Sequence, residues 1–319
     1  MSFINSLPSA VAQGLIWGLV AIGIYISYKI LDIADLSVDG TFATGGCACV
    51  VFAALGLPVW VAVLLAMVCG MIAGAVTGLL HTVFGVPSIL AGIITQMALY
   101  SINIQILMEG RANYPFASIP FYTGNPFDPN SLLLRMSDKL WSVIVPLLFV
   151  AAIIILLWLF FYTEIGLTIK STGDNPNMSK AQGVNVNLNK IIGLAISNGI
   201  VALSGSLLAQ YQGFADVSMG RGAIVTGLAA IYIGLSISMK IKPNFVVSLV
   251  GVVFGAVVYY IIYTFVLLLG LHTNYLQLLS ASIVTVFLAV PYLKGKYFSK
   301  PHEEKNTNNE IDKEEGINA

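Results

Sequence analysis

Residues 41–108 read TFATGGCACVVFAALGLPVWVAVLLAMVCGMIAGAVTGLLHTVFGVPSILAGIITQMALYSINIQILM and contain no Asp, Glu, Lys or Arg. About 20 apolar residues cross the hydrocarbon core of a bilayer as a helix, so this run is too long for one crossing. Pro58, Gly85 and Pro87 divide it, because proline and glycine punctuate helices. Further charge-free runs cover 141–163, 191–215 and 243–293. Only 9% of the 319 residues are charged and 57% are hydrophobic, with a mean hydropathy of +0.88. A soluble globular chain carries about a quarter charged residues. The expected fold is therefore an all-α polytopic membrane protein with about nine transmembrane helices, at 11–31, 41–56, 59–80, 87–108, 141–163, 191–211, 222–239, 244–270 and 276–293.

These spans form one transmembrane domain, 1–298, with a polar loop at 164–190. Residues 299–319 are charged and without aromatics after the serine, and composition predicts a disordered cytoplasmic tail. The formal net charge is zero, which gives no electrostatic case for nucleic acid; the expected surroundings are membrane lipid. The N-terminal MSFINSLPSAVAQG lacks the basic stretch and small-residue cleavage site of a secretory signal peptide. Nine spans place eleven basic residues on one side, including Lys29, Lys170, Lys180, Lys190, Lys240, Lys242 and the tail lysines. Arg111, Arg135, Lys139 and Arg221 fall on the other. Positive loops stay inside, so a cell-membrane protein with an external N-terminus and a cytoplasmic C-terminus is expected.

A shift of 181 residues lays Asp35–Leu36–Ser37 on Asp216–Val217–Ser218, Gly46 on Gly227 and Ala48 on Ala229. In both places an aspartate–serine turn leads into a short helix of small residues. The two helices are the second and seventh spans, an odd offset, so the copies would be inverted. That plan is common among transporters, with the substrate route between the copies.

Enzyme signatures are missing: there is no GxxxxGK[ST], HExxH or GxSxG. His81, His272 and His302 lie far apart, and Cys47, Cys49 and Cys69 sit in apolar helical sequence, so no metal or cofactor site is read. Ion-coupled carriers usually bury charge within the membrane, and here the spans are almost bare of it. This argues against the alternative reading, an ion-coupled secondary transporter of a small polar solute. The exception is the cluster Lys29, Asp32, Asp35 and Asp39. Lys29 and Asp32, three apart, are expected to pair on one helix face. Ser37, Asp39 and Thr41 stand where N-cap residues precede a helix. Polar uncharged groups, among them Asn103, Gln105 and Asn198, bridge helices or line a path. The path candidates at the repeat interface are Ser37, Asp39, Thr41, Thr44, Gln96, Gln210, Gln212 and Ser218.

The loop TEIGLTIKSTGDNPNMSKAQGVNVNLNK, 163–190, is the most informative soluble segment. Gly173–Asp174–Asn175–Pro176 reads as a turn with a cap and a proline at the first helical position. A short helix over 176–182 follows, stopped by Gly183, with Met178, Ala181 and Val184 as its apolar face. Such a face suits a groove on another protein.

The run GLTIKSTGDNPNMSKAQGVNVNLNKIIGLAISNGIVALSGSL, 166–207, resembles the coupling region of branched-chain amino-acid and ribose-type ABC importer permeases. LDIADLSVDGTFATGG, 31–46, and GVPSILAGIITQMALYSINIQILMEGRANYP, 85–115, resemble two further segments of that family, in the same order. The SVDG and ALYSIN segments are most similar to a subgroup associated with tryptophan or tyrosine uptake. The resemblance implies the permease subunit of an ATP-driven importer for a small solute, an amino acid in that subgroup. It also implies a homodimer, a separate cytoplasmic ATPase and an extracytoplasmic solute-binding protein. The residues it sets against the ATPase are Gly173, Asp174, Asn175, Met178, Ala181, Gly183 and Val184. SVDG in place of SVG, and the turn Met219–Gly220–Arg221–Gly222, depart from the sugar and branched-chain members. Their substrates are therefore not carried over.

Overall fold

The computed structural model describes residues 2–107, 113–115, 141–238 and 244–268, with single positions at 281, 282, 285 and 289. The helices are α1 (Ser2–Ile24), α2 (Val38–Ala54), α3 (Val59–Thr82), α4 (Ser88–Ile106), α5 (Trp141–Phe161), α6 (Glu164–Asp174), α7 (Pro176–Ala181), α8 (Val186–Gln212), α9 (Ala223–Ser238) and α10 (Phe245–Leu268). Two short strands, β1 (Asn113–Pro115) and β2 (Phe214–Asp216), pair antiparallel. Six of the helical stretches are long and apolar enough to cross a membrane, and Val38–Ala54 and Ala223–Ser236 are shorter apolar helices. These correspond to the first eight expected spans. The ninth, 276–293, lies outside the described residues save for four positions, and the tail at 299–319 lies outside them entirely.

Local chemistry sets the ends. The final turn of α1 widens into a π-helix, Tyr25–Ile30, and Asp32 then leaves the helix at φ 56°. Lys29 and Asp32 therefore do not share a helix face, which corrects the expected pairing. The loop 164–190 is largely helical rather than irregular. Thr163 caps α6 by accepting the Gly166 N–H at 3.3 Å, and Asn185 caps α8 by accepting the Leu188 N–H at 3.1 Å. As a result α8 begins at Val186, ahead of the expected 191.

The packing of α1 on α8 reveals the symmetry. Ser197 Oγ donates to the Gly23 carbonyl at 2.7 Å, and Ser204 Oγ donates to the Ile16 carbonyl at 2.6 Å. Residue numbers rise on one helix as they fall on the other, so the two are antiparallel. Adding 181 to 16 and 23 gives 197 and 204, so each contact is the image of the other. In the same way α3 packs antiparallel on α8, with Gly74 at Leu194 and Gly78 at Ile191. Its counterpart α10 packs antiparallel on α1, with Gly14 at Val257 and Gly18 at Val253.

The short helices follow this inversion. α2 runs with α8: Asp35 meets Asn198, Gly45 meets Ala202, and Cys49 meets Gln210. α9 runs with α1: Gly227 meets Ile24, and Tyr232 meets Tyr28. Since α1 and α8 are antiparallel, α2 and α9 point in opposite directions, with their N-termini facing each other. They touch where Gly220 lies on Asp39, so closely that a Cβ at 220 would collide with the Asp39 carbonyl oxygen. Position 39 plus 181 is 220, which puts this contact on the pseudo-two-fold axis. Asn198 is near the middle of α8, so α2 starts level with the centre of its neighbour and not at its end. Small residues allow this close approach. Gly45 lies against the Ala202 carbonyl and Gly205 against the Phe42 carbonyl.

Candidate functional site

A cavity of about 540 Å³ opens beside the axis. α2 contributes Asp39 and Gly40, and the turn before α9 contributes Val217 and Arg221. The other wall is one face of α4: Ile93, Gln96, Met97, Tyr100, Ser101 and Asn103. Positions 93, 96, 97 and 100 fall together because residues three, four and seven apart share a helix face.

Asp39 is the charged group at the junction. Its Oδ2 accepts the Gly222 N–H and its Oδ1 accepts the Ile224 N–H, both at 3.1 Å. The carboxylate of one short helix thus caps the first turn of the other, where unpaired N–H groups and the helix dipole favour negative charge. Arg221 is the residue next to that bond and is exposed to the cavity. One end of the cavity therefore carries both signs of charge. The α4 wall supplies apolar and aromatic surface.

Asp39 and Gln96 are the only two of the expected path residues that line this cavity among the described residues. Ser37 is fully buried, its hydroxyl shared between Asp35 Oδ1 at 2.6 Å and Asn198 Oδ1 at 3.3 Å. It holds the N-cap position without a side-chain capping bond. The helix begins at Val38, so Asp39 and Thr41 lie inside it, which corrects their expected place before it. Thr41 and Thr44 donate to the carbonyls of Ser37 and Gly40. Thr44 borders a separate apolar cavity of about 360 Å³ between α2, α3 and α4. Gln210 is buried against Cys49, Gln212 is exposed at the end of α8, and Ser218 bonds Asp216. Asn103 was recognisable as a polar residue in a span and Arg221 as part of an unusual turn. The expected path candidates already included Gln96 of α4, but neither Asn103 nor Arg221 was among them.

Residues 7–289 match the family described as the branched-chain amino acid transport system permease component. The chain belongs to that permease family. Among its relatives is the tyrosine transport system permease protein of Clostridioides difficile, 38% identical over 89% of this chain and 91% of that one. An uncharacterized protein of Rickettsia prowazekii is 31% identical over 89% of this chain and 97% of its own. The ribose import permease of Haemophilus influenzae is 23% identical over 92% and 87%. No solved structure matches. The protein is accordingly a permease component of an importer of small solutes.

The permease's polar segment is built as a firmly held turn with an exposed tip. Gly173 packs against the Ile30 carbonyl at the end of α1, and Asn189 Nδ2 donates to Thr172 Oγ1 at 3.0 Å. Asn175 Oδ1 accepts the Asn177 and Met178 N–H groups at 3.2 and 3.0 Å, starting α7. Gly183 ends it at φ 81°. Asp174, Met178 and Ala181 are exposed, Met178 at 59%, and Val184 is half-buried.

Proposed function

We propose that this permease is the membrane-spanning subunit of an ATP-driven importer for an amino acid with an aromatic side chain. The observation that carries the substrate is the likeness, over nine-tenths of both chains, to a permease named for tyrosine transport. The cavity fits the same chemistry. Asp39 and Arg221 offer partners for the ammonium and carboxylate of a zwitterion, and Ile93, Met97 and Tyr100 offer a wall for an apolar body. Its size is in the usual range for small-molecule sites, about 300–1,000 Å³. An extracytoplasmic binding protein delivers the solute, and Asp39 and Gln96 line the path it enters in the permease.

In this reading the subunit works as a homodimer on two copies of a cytoplasmic ATPase. The segment Gly173, Asp174, Asn175, Met178, Ala181, Gly183 and Val184 is the coupling element. An exposed methionine and alanine on a short, capped helix suit an apolar groove on that partner. Because Gly173 and Thr172 are tied to α1 and α8, a push on α7 would reach the helices that carry the repeat interface. The C-terminal side faces the cytoplasm, together with this segment.

Reconstitution of the permease with its ATPase and binding protein in proteoliposomes tests this. ATP-dependent accumulation of tyrosine or tryptophan is expected. Ala181→Glu places an unpaired charge in the groove and should lower ATP hydrolysis and uptake together by tenfold or more, about 1.4 kcal/mol or greater, with normal membrane insertion. Uptake by the permease alone from a sodium or proton gradient would overturn the reading.

A further inference from the structure

Asn103 is fully buried, and among the described residues neither its Nδ2 nor its Oδ1 has a hydrogen-bond partner. A buried amide left unpaired costs free energy, and native structures rarely tolerate one without a use. Asn103 is one of the residues around the cavity that already holds Asp39 and Arg221. Its place along α4 gives the use a direction. Gly40, next to Asp39, lies against the backbone of Gln96. Asn103 is seven residues further along the same helix, two turns, or about 10 Å from the charged end. Between them stand Met97 and Tyr100.

We infer that Asn103 is the specificity-determining residue that hydrogen-bonds the polar tip of an aromatic amino acid held by its charged end near Asp39 and Arg221. The amide offers both a donor and an acceptor, so it suits the phenol hydroxyl of tyrosine and the indole N–H of tryptophan. Phenylalanine would leave it unpaired. Sites built to pair a substrate hydroxyl reject the analogue lacking it far more strongly than apolar pockets reject a missing methylene. The inference rests on the amino-acid reading above and adds which end of the substrate lies where.

The test measures equilibrium binding of radiolabelled tyrosine and phenylalanine to the purified permease–ATPase complex without the binding protein, which would impose its own selectivity. The wild-type complex should bind tyrosine at least tenfold more tightly than phenylalanine. Asn103→Leu should bind both equally, at the wild-type phenylalanine level. Its melting temperature should be unchanged or higher, since an unpaired polar group has been removed. A tyrosine preference that survives in Asn103→Leu, or a lowered melting temperature in that variant, overturns the site. So does a wild-type complex that imports tyrosine yet binds the two ligands alike, and there the amino-acid reading stands. If the reconstituted complex imports a sugar and no amino acid, the functional reading fails and the inference falls with it.

Discussion

The turn at Asp35–Ser37 and the turn at Asp216–Ser218 are the same piece of structure put to different ends. In each, the aspartate Oδ1 accepts the serine N–H and the serine hydroxyl, at 2.8 and 2.6 Å in the first copy and 2.6 and 2.5 Å in the second. The first copy is sealed. Asp35 is 6% exposed, and its other oxygen takes the Asn198 Nδ2 at 2.6 Å from the middle of α8. The second copy is half-buried, and its turn carries Val217 and Arg221 into the cavity. Pseudo-symmetry therefore fixes the backbone, while each copy's surroundings decide whether the turn bears load or borders a ligand space. Position 39 and its image 220 divide the same way: an aspartate that caps α9, against a glycine that lets the two helix N-termini touch.

Removing the sealed carboxylate should have the largest effect. Asp35→Ala takes away an acceptor of three bonds and leaves the Asn198 Nδ2 only its bond to the Leu194 carbonyl, costing about 3 kcal/mol or more, since bonds to charged groups contribute roughly 1.5–3 kcal/mol each. Asp216→Ala, where water reaches the vacated groups, should cost about 1 kcal/mol. Thermal melting of the detergent-purified permease compares the two, and equal losses would break the distinction between them.

The axial contact comes next. Gly220→Ala forces a methyl into the Asp39 carbonyl and should cost about 1–3 kcal/mol through overpacking. Asp39→Ala removes only a cap and should cost about 1 kcal/mol. A larger loss at Asp39 than at Gly220 would mean that the carboxylate, rather than the close approach, holds the two copies together.

The membrane-spanning plan was legible because charge is excluded so sharply from the apolar runs. The repeat was legible from the aspartate–serine echo together with the odd helix offset. α6 was not, because its buried stripe is only Gly166, Ile169 and Thr172, too thin and polar to stand out from a loop. Ser37 and Thr41 looked like path residues because hydroxyls in a membrane need partners, yet they find them in their own turn and backbone. Asn103 could be picked out as polar but not as unpaired. Whether an amide is satisfied depends on which helices surround it, and that is settled only by tertiary packing.

Labelling from the two faces of the membrane tests whether α2 and α9 run in opposite directions from their shared junction. In a permease whose Cys47, Cys49 and Cys69 are replaced by alanine, single cysteines can be placed at Leu55, just past the end of α2, and at Ser236, near the end of α9; both positions are exposed. A membrane-impermeant maleimide applied to intact cells should label the cysteine at 55 and not that at 236, and applied to inverted membrane vesicles it should do the reverse. Labelling of both positions from the same face would contradict the inverted repeat and the site built upon it.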